Sequence, residues 1–493
     1  MTTAALLPLG AASAASMWDA INWQTAEKTV HRLQMRIAKA TREQRFGKVR
    51  ALQWLLTHSF HAKLLAVKRV IQNRGHRTAG VDGITWTTSH QKVEAVRLLK
   101  RRGYQPQPLR RINIPKKNGK TRPLGIPTMK DRAMQALYLL ALEPVSETQA
   151  DRNAYGFRPK RSTADAIGHC FSALAKKRSA QWILEGDIRA CFDQISHAWL
   201  LANITMDKTV LSRWLAAGYM EKGSFYPTES GTPQGGIASP TLALMTLSGL
   251  EEAVKNAVPR RQKVHVVAYA DDFIITGASK ELLVMKVKPA VDAFLKARGL
   301  ELSAEKTKIT HINEGFDFLG FNVRKYNQRL VIKPAKASVN AFLREIRAFI
   351  KSHKAAKTEH LIWQLNPKLS GWANYYRHAM AKRTFNQVDH QVFLTLWSWA
   401  KRRHPNKPAQ WVRQKYFRSQ GLRHWVFSAK VPDQQGKAVA LDLMLAAKVP
   451  IRRHVKIRAA ATPYDPAFTD YFAAREQSRR VNRSVRPETV ADA

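Results

Sequence analysis

The order of apolar and polar residues divides the chain into a helical beginning, a mixed centre and a helical end. From about residue 23 to 72 the pattern is helical, and its predicted buried face comprises Val49, Leu52, Leu55 and Leu56. From about residue 110 to 333 short β-like runs alternate with helical ones, as in an α+β domain. The predicted strands are 111–114, 182–187, 264–268, 273–276 and 329–332, and the predicted helices are 130–142, 164–175, 240–257 and 281–298.

The chain beyond Pro334 is rich in helix-forming and basic residues. One amphipathic helix is predicted from the apolar positions Val339, Phe342, Leu343, Ile346, Phe349 and Ile350. The tryptophans of this part are Trp363, Trp372, Trp397, Trp399, Trp411 and Trp425. We expect most of them in the core of a small helical bundle and one or two on the surface, where they stack on bases. The polar stretch from about residue 476 is predicted to be disordered.

The charge of the chain points to a polyanionic partner. The 493 residues include 82 Lys+Arg and 36 Asp+Glu, a net charge of +46, and residues 335–493 alone carry 30 Lys+Arg and 10 Asp+Glu. An excess of this size repels itself unless a polyanion neutralises it, so nucleic acid is the expected partner. No run of about 18 apolar residues occurs, which argues against a membrane span.

The cysteines and the N-terminus bear on the compartment. Cys170 and Cys191 form no Cys-x-x-Cys pair, which excludes a disulfide framework and fits a reducing environment. The first 17 residues are rich in Ala and Leu but have no basic n-region, so they are predicted to be a disordered leader and not a secretion signal. We therefore expect a bacterial cytoplasmic or an organellar protein.

The candidate chemistry lies at Tyr269-Ala270-Asp271-Asp272, between two β-like runs. Adjacent carboxylates there fit the turn of a hairpin, where they project from the end of a sheet instead of being buried unpaired. Asp187, the last residue of the predicted strand 182–187, supplies a third carboxylate. Together these acids would form an oxygen-ligand site suited to two Mg²⁺ ions, with Mn²⁺ as a substitute. Taken alone, the motif fits a solvated Asp-Asp turn equally well.

Five further motifs accompany these acids in a fixed order. They are Ile126-Pro127-Thr128, Tyr155-Gly156-Phe157-Arg158-Pro159, Asp187-Ile188-Arg189-Ala190-Cys191-Phe192-Asp193, Gly231-Thr232-Pro233-Gln234-Gly235-Gly236-Ile237-Ala238-Ser239-Pro240 and Phe318-Leu319-Gly320-Phe321. With them, the stretch from about Asn73 to Phe321 resembles the reverse transcriptases that group II introns encode. The resemblance implies an RNA-directed DNA polymerase, which transfers dNMP to a primer 3′-hydroxyl.

The resemblance also implies roles for single residues. Asp187, Asp271 and Asp272 would be the catalytic and metal-binding acids. Phe192 would lie under the incoming sugar and exclude a 2′-hydroxyl, and Gln234 would lie beside the nucleotide. In the hairpin-like segment Lys116-Lys117-Asn118-Gly119-Lys120-Thr121-Arg122, the family's triphosphate-binding pair falls on Lys116 and Arg122, with Lys120 as a near alternative for Lys116. Lys306 matches a further family lysine beyond the catalytic hairpin and would also contact the dNTP.

Two segments beyond the polymerase resemble other parts of the same family. Residues 365–376 and 397–407 resemble the thumb, or maturase, segment, and residues 451–472 resemble the DNA-binding segment. Many members then carry a His-Asn-His endonuclease with paired cysteines. Because no cysteine follows Cys191, an endonuclease-lacking form is expected.

The fold expected from these features is an α+β right-hand polymerase with an α-helical thumb and a small basic C-terminal DNA-binding segment. The predicted units are a leader and basic arm (1–72), fingers and palm (73–334), thumb (335–407), DNA-binding segment (408–475) and polar tail (476–493). The expected partners are group II intron RNA, target DNA and dNTPs, in a ribonucleoprotein particle.

Two alternatives stay open at this point. The first is a splicing-only maturase that binds RNA, against which the three intact aspartates argue. The second is a related polymerase, either one that makes RNA or a host-adapted reverse transcriptase in defence or repair. Phe192 opposes ribonucleotide use, and the maturase-like segment 365–376 opposes a free-standing defence enzyme.

Overall fold

The computed structural model describes residues 14–115, 119, 121–433 and 435–484. Its first helices are α1 (Ala14–Asp19), α2 (Trp23–Arg42), α3 (Phe46–His58) and α4 (Phe60–Gln72). The predicted helical pattern of this arm is confirmed, with breaks at Gln44, which has a positive φ, and at the extended Ser59. On α3, Val49, Leu52 and Leu56 are buried, but Leu55 is 47% exposed. Its assignment to the buried face was wrong, because about 100° of rotation per residue turns Leu55 away from the other three.

The central part of the chain mixes helices and strands, as predicted. It contains α5 (Ser89–Leu98), β1 (Leu109–Pro115), β2 (Thr121–Ile126), α6 (Met129–Gln149), α7 (Thr163–Leu174), β3 (Trp182–Asp187), α8 (Cys191–Gln194), α9 (His197–Asn203), α10 (Lys208–Leu215), β4 (Tyr219–Glu221), β5 (Ser224–Tyr226), α11 (Ser239–Leu247), α12 (Leu250–Asn256), β6 (Val266–Tyr269), β7 (Asp272–Gly277), α13 (Lys280–Leu282), α14 (Lys288–Lys296), β8 (Lys308–His311), β9 (Phe316–Phe318), β10 (Phe321–Tyr326) and β11 (Arg329–Pro334).

Two predicted helices differ in detail from the structure. The helix expected over 240–257 is two helices, because Gly249 adopts a positive φ of 94° between α11 and α12. The helix expected over 281–298 contains one π-helical stretch, Leu283–Val287, just before Pro289. Proline has no backbone N–H to donate to the preceding turn, which explains the change of hydrogen-bonding pattern there.

A four-stranded antiparallel sheet, ordered β6-β7-β3-β8, forms the centre of the molecule. Alternate side chains of its strands enter two different hydrophobic clusters: Leu184 and Ile275 belong to one, Ile183 and Ile274 to the other. The sheet is therefore covered on both faces, and its strand ends are the places where charged groups reach solvent. A second sheet has the strand order β2-β1-β4-β5.

The next part of the chain is helical and then returns to strands. It comprises α15 (Lys336–Ser352), α16 (Thr358–Tyr376), α17 (Lys382–Arg403), α18 (Ala409–Tyr416), β12 (Phe417–Gln420), β13 (Arg423–Pro432) and β14 (Ala438–Asp442). The predicted amphipathic helix is confirmed as α15, with Phe349 only partly buried. Trp399 is buried, Trp372, Trp397 and Trp411 are partly buried against the same cluster, and Trp363 and Trp425 are exposed. Stacking of the exposed tryptophans on bases stays a prediction. The sheet β12-β13-β14 was not predicted.

The C-terminal segment packs back onto the centre of the molecule. The carboxylate of Asp165 on α7 is fully buried and accepts hydrogen bonds from His454 Nε2 (2.8 Å), Ile457 N (2.7 Å) and Arg475 (2.7 Å). The last helix, α19, spans Thr469–Ser484. The disorder predicted from residue 476 is wrong as far as Ser484, because the anchored Arg475 lets the helix propagate. Residues 1–13 and 485–493 lie outside the described residues, and the leader prediction falls mostly there.

Over the described ranges, no helix is both long enough and apolar enough to span a bilayer.

Candidate active site

The Tyr269–Asp272 motif forms the predicted hairpin turn between β6 and β7. Tyr269 pairs with Asp272 across the ladder, which leaves Ala270 and Asp271 as the two turn residues. Ala270 has a φ of 59°, as the tight two-residue turns of antiparallel hairpins require. The turn therefore places Asp271 and Asp272 at one end of the central sheet.

The third predicted acid lies at the same end of the sheet. Asp187 ends β3 and pairs directly with Asp272 on β7. Ile188 N, one residue further along, donates to Asp271 O at 3.3 Å. Since directly opposed residues of an antiparallel pair share a face, the carboxylates of Asp187 and Asp272 lie beside each other. The structure thus brings the three aspartates together.

The electrostatics of this group favour a cation. Burial raises the pKa of Asp272, and the charges of Asp187, Asp271 and Glu185 raise it further, to about 7. Burial also raises the pKa of Asp271; Asp187 adds to this, while Arg122 and Lys306 oppose it. Such mutual repulsion is relieved by a positive charge between the acids, and hard divalent cations prefer carboxylate oxygens.

A lysine already contacts one of these acids. Lys306 Nζ donates to Asp187 Oδ2 at 2.9 Å, although 65% of the lysine side chain is exposed. In this arrangement no three His, Cys, Asp or Glu residues within the described ranges are placed so that they hold a metal ion. The carboxylate oxygens of the three aspartates nevertheless suit a divalent cation. The Lys306 ammonium already places one positive charge beside them.

A loop from the Tyr155–Pro159 motif packs directly behind the catalytic turn. Tyr155 N donates to Ala268 O at 2.8 Å. A Cβ on Gly156 would lie 2.2 Å from Ala270 N, so only glycine fits there. Arg158 anchors the same loop through a buried ion pair with Glu147 on α6, at 2.6 Å, with both side chains at most 3% exposed. This support was missed at the sequence level; the motif was recognised, but nothing in it indicated Glu147 as a partner.

Phe192 lies on the short helix α8, next to the acids in sequence. Its ring is partly buried and meets the ring of Phe157 edge-on, with centroids 5.9 Å apart. Phe157 is 39% exposed and has a φ of 60°, a conformation that costs about 1–3 kcal/mol for a non-glycine residue. The Tyr155–Pro159 loop therefore supports both the catalytic turn and Phe192.

Gln234 lies on a loop held between α8 and β2. Thr232 N donates to Phe192 O at 2.6 Å, and Gly125 N donates to Gln234 O at 2.8 Å. The Gln234 side-chain amide donates to the Asp193 carboxylate at 3.3 Å. The loop therefore lies against Phe192, and the Gln234 side chain is bonded to the neighbouring Asp193; the expected place of Gln234 beside the nucleotide stays a prediction.

Of the basic residues predicted to bind the triphosphate of the dNTP, the structure describes only some. Arg122 is exposed on β2 opposite Ile114, close enough to act on the pKa of Asp271. Lys116 and its alternative Lys120 lie outside the described residues. Lys306 is brought to Asp187 instead of to an open phosphate site.

Three family models match the chain. "Reverse transcriptase (RNA-dependent DNA polymerase)" matches residues 114–323, "N-terminal domain of reverse transcriptase" residues 18–99, and "Group II intron, maturase-specific domain" residues 339–417. Protein YkfC of Escherichia coli (strain K12) is 32% identical over 310 residues, covering 54% of this chain and 80% of that protein. Group II intron-encoded protein LtrA of Lactococcus lactis subsp. cremoris is 29% identical over 435 residues, covering 68% of this chain and 71% of that protein.

Among solved structures, telomerase from Candida albicans, in complex with a fragment of telomeric RNA, matches with a TM-score of 0.37 and 12% identity, over 63% of this chain and 64% of that chain. A score this low adds nothing to the assignment, which rests on the sequence matches.

The sheet with its converging acids and the matched domain together define a right-hand polymerase of the reverse transcriptase class, an RNA-directed DNA polymerase. Enzymes of this class generally depend on divalent metal ions. Within that class the chain belongs to the family of group II intron-encoded reverse transcriptases and maturases. The expected family, fold class and enzyme activity are confirmed, and the maturase-specific domain indicates RNA as a partner.

Proposed function

We propose that Asp187, Asp271 and Asp272 bind two Mg²⁺ ions and that this site adds dNMP to a primer 3′-hydroxyl. The observation that carries the proposal is the pairing of Asp187 with Asp272, with Asp271 in the adjoining turn. When bound, the two ions stabilise the attacking and the leaving oxygens of an in-line displacement. Mn²⁺ is the expected substitute, since it also prefers oxygen ligands.

Loading of this site requires Lys306 to leave Asp187. The Lys306–Asp187 pair is largely solvent-exposed on the lysine side, and such pairs contribute about 0–1 kcal/mol. Released from the carboxylate, the ammonium is free to turn towards an incoming triphosphate. Lys306 is therefore proposed to balance the acids in the empty site and to contact the dNTP in the loaded one.

The remaining nucleotide contacts are proposed from neighbouring elements. Phe192 carries the ring that excludes a 2′-hydroxyl, and its edge-on contact with Phe157 supports that ring. Gln234 lies beside it, on the loop between α8 and β2. Arg122 offers a bidentate fork to the triphosphate, with Lys116 as its partner cation. Each of these groups binds or orients the nucleotide, and none needs to transfer a proton.

The basic arm and the thumb are proposed to hold intron RNA, to assist its splicing and to remain in the particle that copies the RNA into target DNA. The net charge of +46, with +20 in residues 335–493, supports a large polyanion. The match to the maturase-specific domain over residues 339–417 supports RNA in particular.

Manganese binding tests the metal site directly. Electron paramagnetic resonance would count the Mn²⁺ ions bound to the protein with a dideoxy-terminated primer, an RNA template and the matching dNTP. We expect two ions in the wild type and fewer in Asp187→Asn and in Asp272→Asn. Asp317→Asn, which changes an exposed aspartate on β9, is the control and should bind as the wild type does. Equal Mn²⁺ counts in all variants would contradict the assignment of these acids.

A further inference from the structure

An apolar cavity of about 240 Å³ opens between α17 and the sheet β12-β13-β14, away from the residues of the active site. Its inner part is lined by the buried side chains Val392, Leu396, Phe427 and Leu443, and its mouth by Phe393 and Trp425. Pockets for drug-sized ligands enclose about 300–1,000 Å³. This cavity is therefore suited to one planar ring system and not to a whole nucleotide.

Trp425 presents an unstacked ring at the mouth of this cavity. It is 45% exposed, and the rings of Phe393 and Trp397 meet it edge-on, at 5.8 Å and 87° and at 5.3 Å and 84°. Phe417 also meets it at a steep angle, 64°. No aromatic ring of the described residues stacks on the indole, but the Arg413 guanidinium lies over one of its faces. A further flat ring would therefore stack on the opposite face.

The surroundings of the cavity are basic. The Arg413 guanidinium lies 4.9 Å from the centroid of Trp425, and Arg423 lines the opening. Asp389, an acid in the lining, has its two carboxylate oxygens occupied by the backbone N–H groups of Ala446 and Ala447, each at 2.8 Å. The two arginines at the rim therefore outweigh Asp389, whose carboxylate is already hydrogen-bonded within the protein. This charge favours a ligand that carries phosphate groups next to a flat ring.

We propose that this cavity binds one unpaired base of an RNA strand, stacked on Trp425, with the flanking phosphates at Arg413 and Arg423. Proteins read RNA mainly through unstacked bases of loops and bulges, which are splayed out onto aromatic side chains. One wall of the cavity, from α17 to Phe417, belongs to the stretch that matches the maturase-specific domain. That match favours RNA over DNA as the occupant, and the site does not depend on the polymerase chemistry.

The test compares the binding affinities of two RNA oligomers, one with bases and one without. The full chain is titrated with a short oligouridylate and with an abasic oligoribonucleotide of equal length. Trp425→Ala should weaken oligouridylate binding about tenfold and leave abasic binding unchanged, since the loss of one aromatic stack has that effect. Trp425→Phe should keep most of the affinity. Phe171→Ala, which removes an exposed aromatic ring (48%) on α7, outside the basic arm and the thumb, is the matched control and should change nothing.

A second measurement keeps the proposal testable if Trp425→Ala disturbs the sheet. An oligomer carrying 4-thiouridine, photo-crosslinked to the wild-type protein, should attach at or next to Trp425 on β13. The absence of any crosslink at or next to Trp425, or a Trp425→Ala protein that binds both oligomers as Phe171→Ala does, would overturn the proposal. An equal Trp425-dependent gain with oligothymidylate would overturn the assignment to RNA.

Discussion

The contact between Gly156 and the catalytic turn leads to a sharp prediction for Gly156→Ala. The added Cβ would lie 2.2 Å from Ala270 N, 2.8 Å from Tyr269 C and 3.1 Å from Ala270 Cα. It falls about 1.2 Å short of an ordinary contact at 3.4 Å, and all three neighbours are rigid backbone atoms. The turn that carries Asp271 must therefore move by about 1 Å, and a misplacement of that size lowers a rate by about 100-fold.

The assay is single-turnover primer extension, combined with thermal unfolding. We expect nucleotide addition by Gly156→Ala to slow by about 100-fold, at a loss of stability of only about 1–3 kcal/mol from overpacking. Gly371→Ala is the control, because nothing lies within 4 Å of a Cβ at this position on α16. If Gly156→Ala extends primers within a few-fold of Gly371→Ala while remaining folded, the idea that this loop positions the acids is refuted.

Three further outcomes follow from other contacts. Arg158→Ala leaves Glu147 charged, buried and unpaired, so urea unfolding should show a loss of about 3–5 kcal/mol, and a loss under 1 kcal/mol would contradict this account. Burial raises the pKa of Asp165, but hydrogen bonds from His454 and Ser162 outweigh it and bring the pKa to about 2, below the ordinary 3.8. Above pH 4 this carboxylate therefore adds about 2 kcal/mol to the free energy of unfolding, and the contribution is lost as the pH falls to about 2. Unfolding of Asp165→Asn, measured as a function of pH, should lack this loss. A pH profile identical to that of the wild type would disprove it. Phe192→Ala should raise ribonucleotide incorporation relative to deoxyribonucleotide incorporation by at least about tenfold in competition assays, whereas an unaltered ratio would remove Phe192 from the proposed site.

Much of the site was predictable because its chemistry is local in sequence. Adjacent Asp271 and Asp272 between β-like runs indicated a hairpin turn, and the strand ending at Asp187 indicated a partner. The ladder that pairs Asp187 with Asp272 agrees with that inference. The periodicity of apolar residues does not predict which elements far apart in the chain contact each other.

The supports of the site come from such distant pairings. The Glu147–Arg158 ion pair spans only 11 positions, from α6 to the loop that follows it, whereas the close approach of Gly156 to Ala270 joins residues more than a hundred positions apart. The same holds for Asp165, which the C-terminal segment reaches through His454 and Arg475. Each contact depends on tertiary packing, which a single sequence does not encode in any local pattern.

The missed sheet β12-β13-β14 has a local cause. The tryptophans of this stretch are expected in a small helical bundle because the chain beyond Pro334 is rich in helix-forming residues. In the structure, Phe427 and Val431 on β13 are buried with Tyr416 and Leu441 in the cluster that also holds residues of α15 to α17. Short strands that pack on a bundle are difficult to separate from helix by periodicity alone.

The most direct test of the central claim is primer extension on an RNA template with dNTPs and Mg²⁺, comparing the wild type with Asp271→Ala. The account predicts long cDNA from the wild type and none from the variant, while both proteins bind structured RNA equally well. A wild-type protein that binds the RNA tightly but makes no cDNA would contradict it, and a splicing-only maturase would then be the better description.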